Sequence, residues 1–451
     1  MSILPNLEKN AYLVLYIKDF YISASLIYSD FSISRYYILD SNLEHIRTDQ
    51  LTNFLFWKEY FMNLEKYFSW EFIHKGTGNL MHFGGEGVGL RGIEVVIDNR
   101  YFKNITNDIV SAIRGYILDI NIRFIDNNHI GEILDGVSNR LGYSDIMYLD
   151  LNLKDFNVYR YIKNTSGGIL TSKRTKADIN FGHIHNHSFT GLVDKIYDNS
   201  FKAFVSKNIN NEVINTWANY VNNYGLFPTN NTIQDLLRSY ILAQILTIRN
   251  DNPDKFDNFG VDKSKSLLII SGSLIYNIDY KSLLLSIIDG FELMGDIDIV
   301  FDKNDRLVPF SNNYINGNIQ SNYIVGVSDM IDKTIKLLIP TKSVKNKDRK
   351  VISDITINTV TKENTKYFAF NNEITFINMP NEKYIMDMKL LNNYELFDKD
   401  IYSYVTTPDD LQYTQFIFDG RSRPVVYGPT DKENLVKISS WINEEGTEIN
   451  S

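Results

Sequence analysis

The stretch that most constrains the fold runs from residue 265 to 302 and has the pattern strand, tight turn, helix, strand. Residues 267–270 form a continuous apolar run, typical of a strand buried on both faces. Apolar residues then recur at helical spacing from 280 to 293, and residues 297–300 are strand-like. Ligands of such α/β units bind at the carboxyl ends of the strands. The sequence therefore predicts a binding site in the turn, at Ser271, Gly272 and Ser273.

The length of 451 residues indicates more than one domain, at about 100–200 residues each. Residues 12–29 and 144–161 each read as a β-hairpin that opens an α/β half. Alternating apolar and polar residues from 335 to 397 predict an antiparallel β domain. We expect two α/β halves, a β-rich domain, and a terminal helix with its tail, over residues 1–140, 141–330, 331–430 and 431–451.

Composition excludes several classes of function. The chain has no cysteine, which rules out disulfides, cysteine-ligated zinc and thiol catalysis. A formal net charge of -9 argues against a nucleic-acid binder. The apolar stretch 13–28 is interrupted by Lys18 and Asp19, so no transmembrane helix is predicted. The amino terminus lacks the pattern of a signal peptide, and we expect a cytoplasmic protein.

Three histidines stand at alternate positions, His183, His185 and His187. In a strand, alternate side chains face one side, where three imidazoles can converge on a metal ion. No carboxylate has an obvious place as fourth ligand, and a polar loop is the interpretation we favour. Both interpretations stay open at the level of sequence.

Three glycines, Gly87, Gly89 and Gly92, formally match the G-x-G-x-x-G pattern of dinucleotide sites. That site needs a strand before the glycines and a helix after them, whereas residues 93–97 are strand-like. The pattern therefore favours a structural loop or a hinge over phosphate binding.

The two hairpins and the late strand–turn–helix resemble the layout of the actin-like ATPase superfamily, which includes actin and the sugar kinases. The resemblance implies duplicated actin-like (ribonuclease H-like) domains with mixed sheets, plus a C-terminal antiparallel β domain. It also implies ATP with Mg²⁺, whose phosphates lie at the two hairpin tips and whose adenosine lies at the late turn.

Each of the three motifs is altered in this chain. The first tip has Tyr16-Ile17-Lys18 where the superfamily has Asp-x-Gly, and the second has Asp150-Leu151-Asn152, which keeps the acid and loses the glycine. The resemblance implies that Asp150 orients Mg²⁺ or a water molecule. The nucleotide-binding residues that it implies are Lys18, Asp150, Asn152, Ser271, Gly272 and Ser273.

Two branches of the superfamily are the most similar. The C-terminal segment 418–424 resembles an Asp-x-Arg-x-Arg-Pro signature of the glutamate mutase accessory (MutL-like) family, and much of the second half has a similar layout. Residues 182–190 resemble, more loosely, the glycine-led helix entry of the FtsA and PilM branch. We expect Arg421 and Arg423 to pair with Asp419 and nearby acids.

The altered motifs favour a degenerate protein, a cytoplasmic scaffold or chaperone-like accessory factor with weakened or lost ATP binding and hydrolysis. It would bind a protein partner through the β-rich domain and the loop 76–92, and self-association is left open. The alternative is an active ATPase with rebuilt phosphate loops that use Lys18, Asp150 and Asn152. A metal-dependent protein that uses the three histidines is the least favoured hypothesis.

Overall fold

The computed structural model divides into two compact units, residues 1–141 with 302–332 and residues 142–301 with 333–451. The structure describes residues 10–19, 21–29, 36–68, 89–117, 120–152, 155–163, 182–185, 215–216, 219–220, 231–251, 256, 259–260, 265–311, 331, 333–342, 349–359, 364–380, 382–397, 399, 401–405, 413–421 and 448–449.

The strands are β1 (Asn10–Lys18), β2 (Tyr21–Ser29), β3 (Tyr36–His45), β4 (Gly89–Asp98), β5 (Ile120–Ile125), β6 (Asp145–Leu151), β7 (Asp155–Ile162), β8 (Gly182–His185), β9 (Ser266–Ser271), β10 (Gly295–Asp302), β11 (Lys333–Ile339), β12 (Val351–Thr359), β13 (Thr365–Phe370), β14 (Ile374–Asn378), β15 (Tyr384–Leu390), β16 (Ile401–Val405), β17 (Gln415–Asp419) and β18 (Glu448–Ile449). The helices are α1 (Phe54–Tyr67), α2 (Asn99–Phe102), α3 (Thr106–Arg114), α4 (Asn127–Leu141), α5 (Asn231–Asp251), α6 (Tyr280–Gly290) and α7 (Leu307–Ser311).

The first unit is built on a mixed five-stranded sheet of order β3-β2-β1-β4-β5. β1, β2 and β3 are antiparallel neighbours, whereas β4 runs parallel to both β1 and β5. The apolar side chains of β1 pack with Trp57 and Phe61 of α1 and with Ile109 and Ile113 of α3 in one buried cluster. Both amphipathic helices thus cover the sheet with their apolar faces.

The second unit repeats this order in the part β8-β7-β6-β9-β10 of an eight-stranded sheet. Again the first three strands are antiparallel neighbours, and β9 runs parallel to β6. The two predicted hairpins therefore occupy the same place in the two sheets. The predicted mixed α/β class and its duplication are confirmed by this chain's own strand order.

The strands predicted for a β-rich segment at residues 331–430 divide between two sheets of the second unit. β11, β17 and β14 extend the eight-stranded sheet beyond β10. The other four, with β18 from residues 448–449, form an antiparallel five-stranded sheet of order β16-β15-β12-β13-β18. This separate sheet confirms the predicted antiparallel element. Among the described helices, none is long and apolar enough to cross a membrane.

Candidate functional site

The end of the second hairpin and the turn after β9 form one hydrogen-bonded network. Asp150 of β6 lies opposite Ser271 of the parallel strand β9. The Asn152 amide nitrogen donates to Oδ1 of Asp150 at 2.7 Å, and the backbone N–H of Ser273 donates to Oδ1 of Asn152 at 2.9 Å. All these side chains are fully buried. The amide of Asn152 therefore links the hairpin tip to the turn, as a side chain that both donates and accepts can do.

Gly272 lies at the closest approach of the turn to the hairpin. Its φ of 106° is in the region that favours glycine. A Cβ atom there would lie 2.5 Å from both the backbone nitrogen and the carbonyl oxygen of Leu151, so any larger residue clashes with main chain. The glycine that the sequence singled out is thus required for contact between turn and hairpin. The hydroxyl oxygen of Ser273 in the same turn is buried and has no hydrogen-bond partner among the described residues.

The first hairpin tip carries a buried ion pair. Nζ of Lys18 lies 2.9 Å from Oδ2 and 3.2 Å from Oδ1 of Asp305. The side chains of Lys18 and Asp305 are 0% and 1% exposed. The ammonium also lies 5.9 Å from the ring centroids of Tyr16 and Tyr21. A cation this deeply buried needs a counter-charge, and Asp305 supplies it.

A second buried carboxylate lies at the end of β4. Asp98 accepts a hydrogen bond from the Tyr16 hydroxyl at 2.7 Å and from Nη2 of Arg100 at 2.6 Å. Its other oxygen accepts from the backbone N–H of Arg100 at 3.1 Å and so caps α2. Burial, and after it the Asp98 carboxylate, raise the pKa of Tyr16 well above its ordinary value. Tyr16 therefore stays a hydrogen-bond donor and does not act as a metal-binding anion.

The segment that carries Asp305 is fixed to the first unit at several points. Asp302 accepts hydrogen bonds from the backbone N–H groups of residues 306 and 307, at 2.7 and 2.8 Å, at the start of α7. The Ser23 hydroxyl donates to the Asn304 carbonyl at 2.6 Å. Nη2 of Arg123 donates to the Pro309 carbonyl at 2.7 Å. The position of Asp305 beside Lys18 is therefore supported by contacts to β2 and β5.

Five of the six predicted site residues lie close together in the second unit, and the sixth belongs to the first unit. Asp150, Asn152 and Ser273 are joined by hydrogen bonds, Ser271 pairs with Asp150, and Gly272 lies against Leu151. Lys18 is the predicted residue of the first unit. Sequence reasoning missed Asp305 and Asp98, the carboxylates that meet Lys18 and Tyr16. Asp98 directly follows the predicted strand 93–97, which is a usable signal, but nothing local to residue 305 indicates that it pairs with Lys18.

The C-terminal arginine motif holds the second unit together. Arg421 donates to Asp419 at 2.9 Å and to Asp289 of α6 at 2.8 Å, and all three side chains are buried. Burial alone lowers the pKa of Arg421, but the carboxylates of Asp289 and Asp419 raise it above its ordinary value. The predicted pairing of Arg421 is confirmed, and Arg423 lies outside the described residues.

The remaining predicted sites are only partly described. His183 and His185 lie in β8, and His187 is outside the described residues. No group of three metal-ligating side chains occurs in the part of the chain that the structure describes. Gly89 and Gly92 belong to β4, so the second half of the glycine pattern is strand, and Gly87 with the rest of the loop 76–88 is outside the description.

At both hairpin tips, some of the groups that could contact a ligand already bond to side chains of the same unit. The one cation of the predicted set, Lys18, is neutralised by Asp305. The predicted carboxylate, Asp150, accepts a hydrogen bond from its neighbour Asn152. Two buried oxygen atoms beside the late turn, the Ser273 hydroxyl and Oδ2 of Asp150, have no hydrogen bond to the described residues.

No protein-family model matches the sequence. No curated protein matches it either. Several solved structures are similar in part. A Ppx/GppA family member from Aquifex aeolicus has 6% identity and a TM-score of 0.26, over 58% of this chain and 65% of that one. The ethanolamine utilization protein EutJ from Carboxydothermus hydrogenoformans has 7% identity and a TM-score of 0.33, over 68% and 90%.

A glucokinase from an Antarctic psychrotroph has 10% identity and a TM-score of 0.28, over 67% of this chain and 97% of that one. The chain thus spans just under two thirds of the length of the Aquifex protein. At these identities and TM-scores the likenesses say nothing about what this chain binds or catalyses.

Proposed function

We propose that this chain is a degenerate actin-like protein that acts as a scaffold or accessory factor for a protein partner, with ATP binding and hydrolysis weakened or lost. The support is the state of the two hairpin tips, together with the altered motifs in the sequence. The partner surfaces that we propose are the C-terminal strands and the loop 76–92, most of which lies outside the described residues.

The single observation that carries the proposal is the ion pair of Lys18 and Asp305. A rebuilt phosphate site would use Lys18 as a point charge for the phosphates. With Asp305 at 2.9 Å the pair has no net charge, and both side chains are buried. A phosphate would have to displace a carboxylate that several backbone and side-chain contacts fix in place. That displacement leaves a buried charge uncompensated, which is strongly unfavourable.

The second tip supports the same proposal. Phosphate loops of this kind offer backbone N–H groups to the anion. Here the N–H of Ser273 donates to Asn152 instead. Asn152 also donates to the one carboxylate proposed to orient Mg²⁺, Asp150. A nucleotide that used the Ser273 N–H and Oδ1 of Asp150 would have to replace both hydrogen bonds.

Isothermal titration of the full chain with Mg-ATP tests the proposal. We expect a Kd weaker than about 1 mM, which is worth no more than about 4 kcal/mol. Phosphate release, measured in parallel, should equal that of an Asp150→Asn variant, because Asp150 performs no chemistry in the proposed state. Asn is nearly isosteric with Asp and keeps one oxygen that can accept from Asn152, so the variant separates catalysis from folding.

Micromolar binding with turnover that Asp150→Asn abolishes would overturn the proposal and establish the active ATPase in its place. Binding without turnover that is lost in Ser273→Ala would place a residual nucleotide site at the late turn and contradict the claim of lost binding. The scaffold role itself predicts that one protein co-purifies with the tagged chain in a fixed ratio from the native cell, with or without added ATP.

A further inference from the structure

The strand β16 is the edge of the antiparallel sheet of the second unit. In the part of the chain that the structure describes, β16 pairs with β15 and with no other strand. Its residues Ile401-Tyr402-Ser403-Tyr404-Val405 carry no charge and have high β propensity. Natural sheet edges are commonly blunted by a lysine or a proline within the strand. An uncharged edge without these features is a template for a further strand.

The sequence of this edge is nearly the same in both directions. An antiparallel copy centred on Ser403 pairs Ile401 with Val405, Tyr402 with Tyr404, and Ser403 with itself. Such self-complementarity is the requirement of a two-fold symmetric interface, in which the same patch serves both subunits. The occupant that the sequence fits is therefore a second copy of the same chain.

The exposed face of the sheet favours the same pairing. Ile401 and Ile385 are 62% and 43% exposed. Ile385 lies opposite Val405 in the β15–β16 register. In the symmetric pairing, Ile401 of one copy therefore lies beside Val405 of the other, with Ile385 of that copy one strand further on. Each of the two symmetric rows thus holds Ile401 of one copy and Ile385 of the other, both exposed in the single chain, and pairing removes part of their apolar surface from water.

On the opposite face of the sheet, the side chains of β16 lie beside buried side chains of β15. Tyr402 and Tyr404 lie opposite Met388 and Met386, both of which are buried. The hydroxyl of Tyr404 donates to Asp296 at 2.8 Å, and this contact ties β16 to the eight-stranded sheet of its own unit. A strand held in this way offers its edge without rearrangement, so little ordering entropy opposes association.

We infer that β16 pairs antiparallel with β16 of a second copy, about a two-fold axis at Ser403, and makes a ten-stranded sheet across a homodimer. Five residues at about 3.4 Å each span roughly 17 Å, so the interface is small and the dimer is weak. This inference is independent of whether the chain binds ATP.

Cysteine cross-linking tests the register directly, because the chain has no cysteine of its own. Directly opposed residues of antiparallel strands have Cα atoms about 4.5–5.5 Å apart, within disulfide reach. Under mild oxidation, Ser403→Cys should give a covalent dimer on a non-reducing gel. The control is Ile162→Cys, a half-exposed position on β7, an interior strand. It should give at least tenfold less dimer.

Sedimentation velocity tests the association without cross-links. The wild-type chain should pass from monomer to dimer with a midpoint of roughly 10–500 µM. Ile401→Lys puts two charges into the apolar rows and should shift the midpoint upward at least tenfold, whereas the control Ile162→Lys should leave it unchanged. A chain that stays monomeric throughout, or Ser403→Cys that cross-links no better than the control, overturns the inference. So does a dimer that is insensitive to Ile401→Lys, because a different surface then forms it.

Discussion

The two units differ in how they stabilise the polar groups at the ends of equivalent strands. Each sheet has a hairpin next to a parallel strand, and polar groups collect where these strands end. In the first unit that end is filled by charges, Lys18 with Asp305 and Arg100 with Asp98. In the second unit, Asn152 makes hydrogen bonds at this end, and Gly272 lies close to the backbone of Leu151.

The comparison shows that two sheets with the same strand order can stabilise the polar groups at their strand ends by different interactions. The first end depends on residues from a distant segment, 302–311, whereas the second depends on two neighbouring loops of one sheet. A substitution at the first end should therefore act through charge burial, and one at the second end through backbone strain. The three predictions that follow test this contrast.

The largest effect is expected for Lys18→Met, which leaves the carboxylate of Asp305 buried without Lys18. Removal of one member of a buried ion pair lowers the free energy of unfolding by about 3–5 kcal/mol. The double variant Lys18→Met/Asp305→Asn should recover most of that loss, because neither charge remains. Urea denaturation followed by circular dichroism measures both.

The matched control for charge burial is Arg47→Met. Arg47 pairs with Asp49 at 2.8 Å, but the two side chains are 77% and 66% exposed. Exposed pairs contribute about 0.2–1 kcal/mol, so the control should lie near the wild type. Equal losses in Lys18→Met and Arg47→Met would show that the first strand end does not depend on its buried charge.

The next effect is expected for Gly272→Ala in the second unit. The substitution combines a positive φ with a Cβ atom 2.5 Å from the Leu151 backbone, and the turn must move away from the hairpin. We expect the free energy of unfolding to fall by about 3 kcal/mol. Urea denaturation measures the loss.

Gly142→Ala is the control for backbone conformation alone. Gly142 has a φ of +73° and nothing within 4 Å of its Cβ position. It should therefore show only the conformational cost of about 1–2 kcal/mol. If both variants lost the same free energy, close packing against Leu151 would not be what requires the glycine.

The smallest effect at neutral pH is expected for Tyr16→Phe. Loss of the hydrogen bond to Asp98 should lower the free energy of unfolding by about 1 kcal/mol at pH 7. The pKa of Tyr16 is raised in the folded state, first by burial and then by Asp98, whereas the unfolded value is near 10. Tyr16 therefore contributes stability that is fully present below pH 10 and is lost as the pH rises toward the folded-state pKa.

Denaturation midpoints between about pH 9 and 11 measure this linkage. The wild type should lose stability over this window, and Tyr16→Phe should lose less, so the two curves converge as the pH rises. Parallel curves would mean that the Tyr16 hydroxyl does not stay protonated in the folded first unit.

The sequence predicted the fold well where the pattern is local. The apolar run before Ser271, the helix that follows, and both hairpins lie where periodicity places them. It was less informative for residues 331–430, because alternation predicts a strand but not the sheet that the strand joins. β11 and β12 have similar patterns, yet one extends the eight-stranded sheet and the other lies in the antiparallel one.

The residues of the candidate site also fall into those that the sequence predicted and those that it did not. Gly272 was found because ligands of such α/β units bind at the carboxyl ends of the strands, which is a rule of topology. Asp150 and Asn152 were found through the resemblance of the second hairpin tip to the actin-like ATPase superfamily. Their role in nucleotide binding stays a prediction. Asp305 could not be found, because the pairing with Lys18 joins residues 287 positions apart, and a single sequence carries no signal for such a contact.

That separation has a consequence for biosynthesis. A ribosome adds about 5–20 residues per second, so Asp305 emerges roughly 15–60 s after Lys18. Throughout this interval the nascent first hairpin lacks the counter-ion that lets its lysine leave water. An amino-terminal fragment ending at residue 141 remains in that state, with its β1–β2 tip hydrated, until a segment that carries Asp305 is supplied as a separate chain.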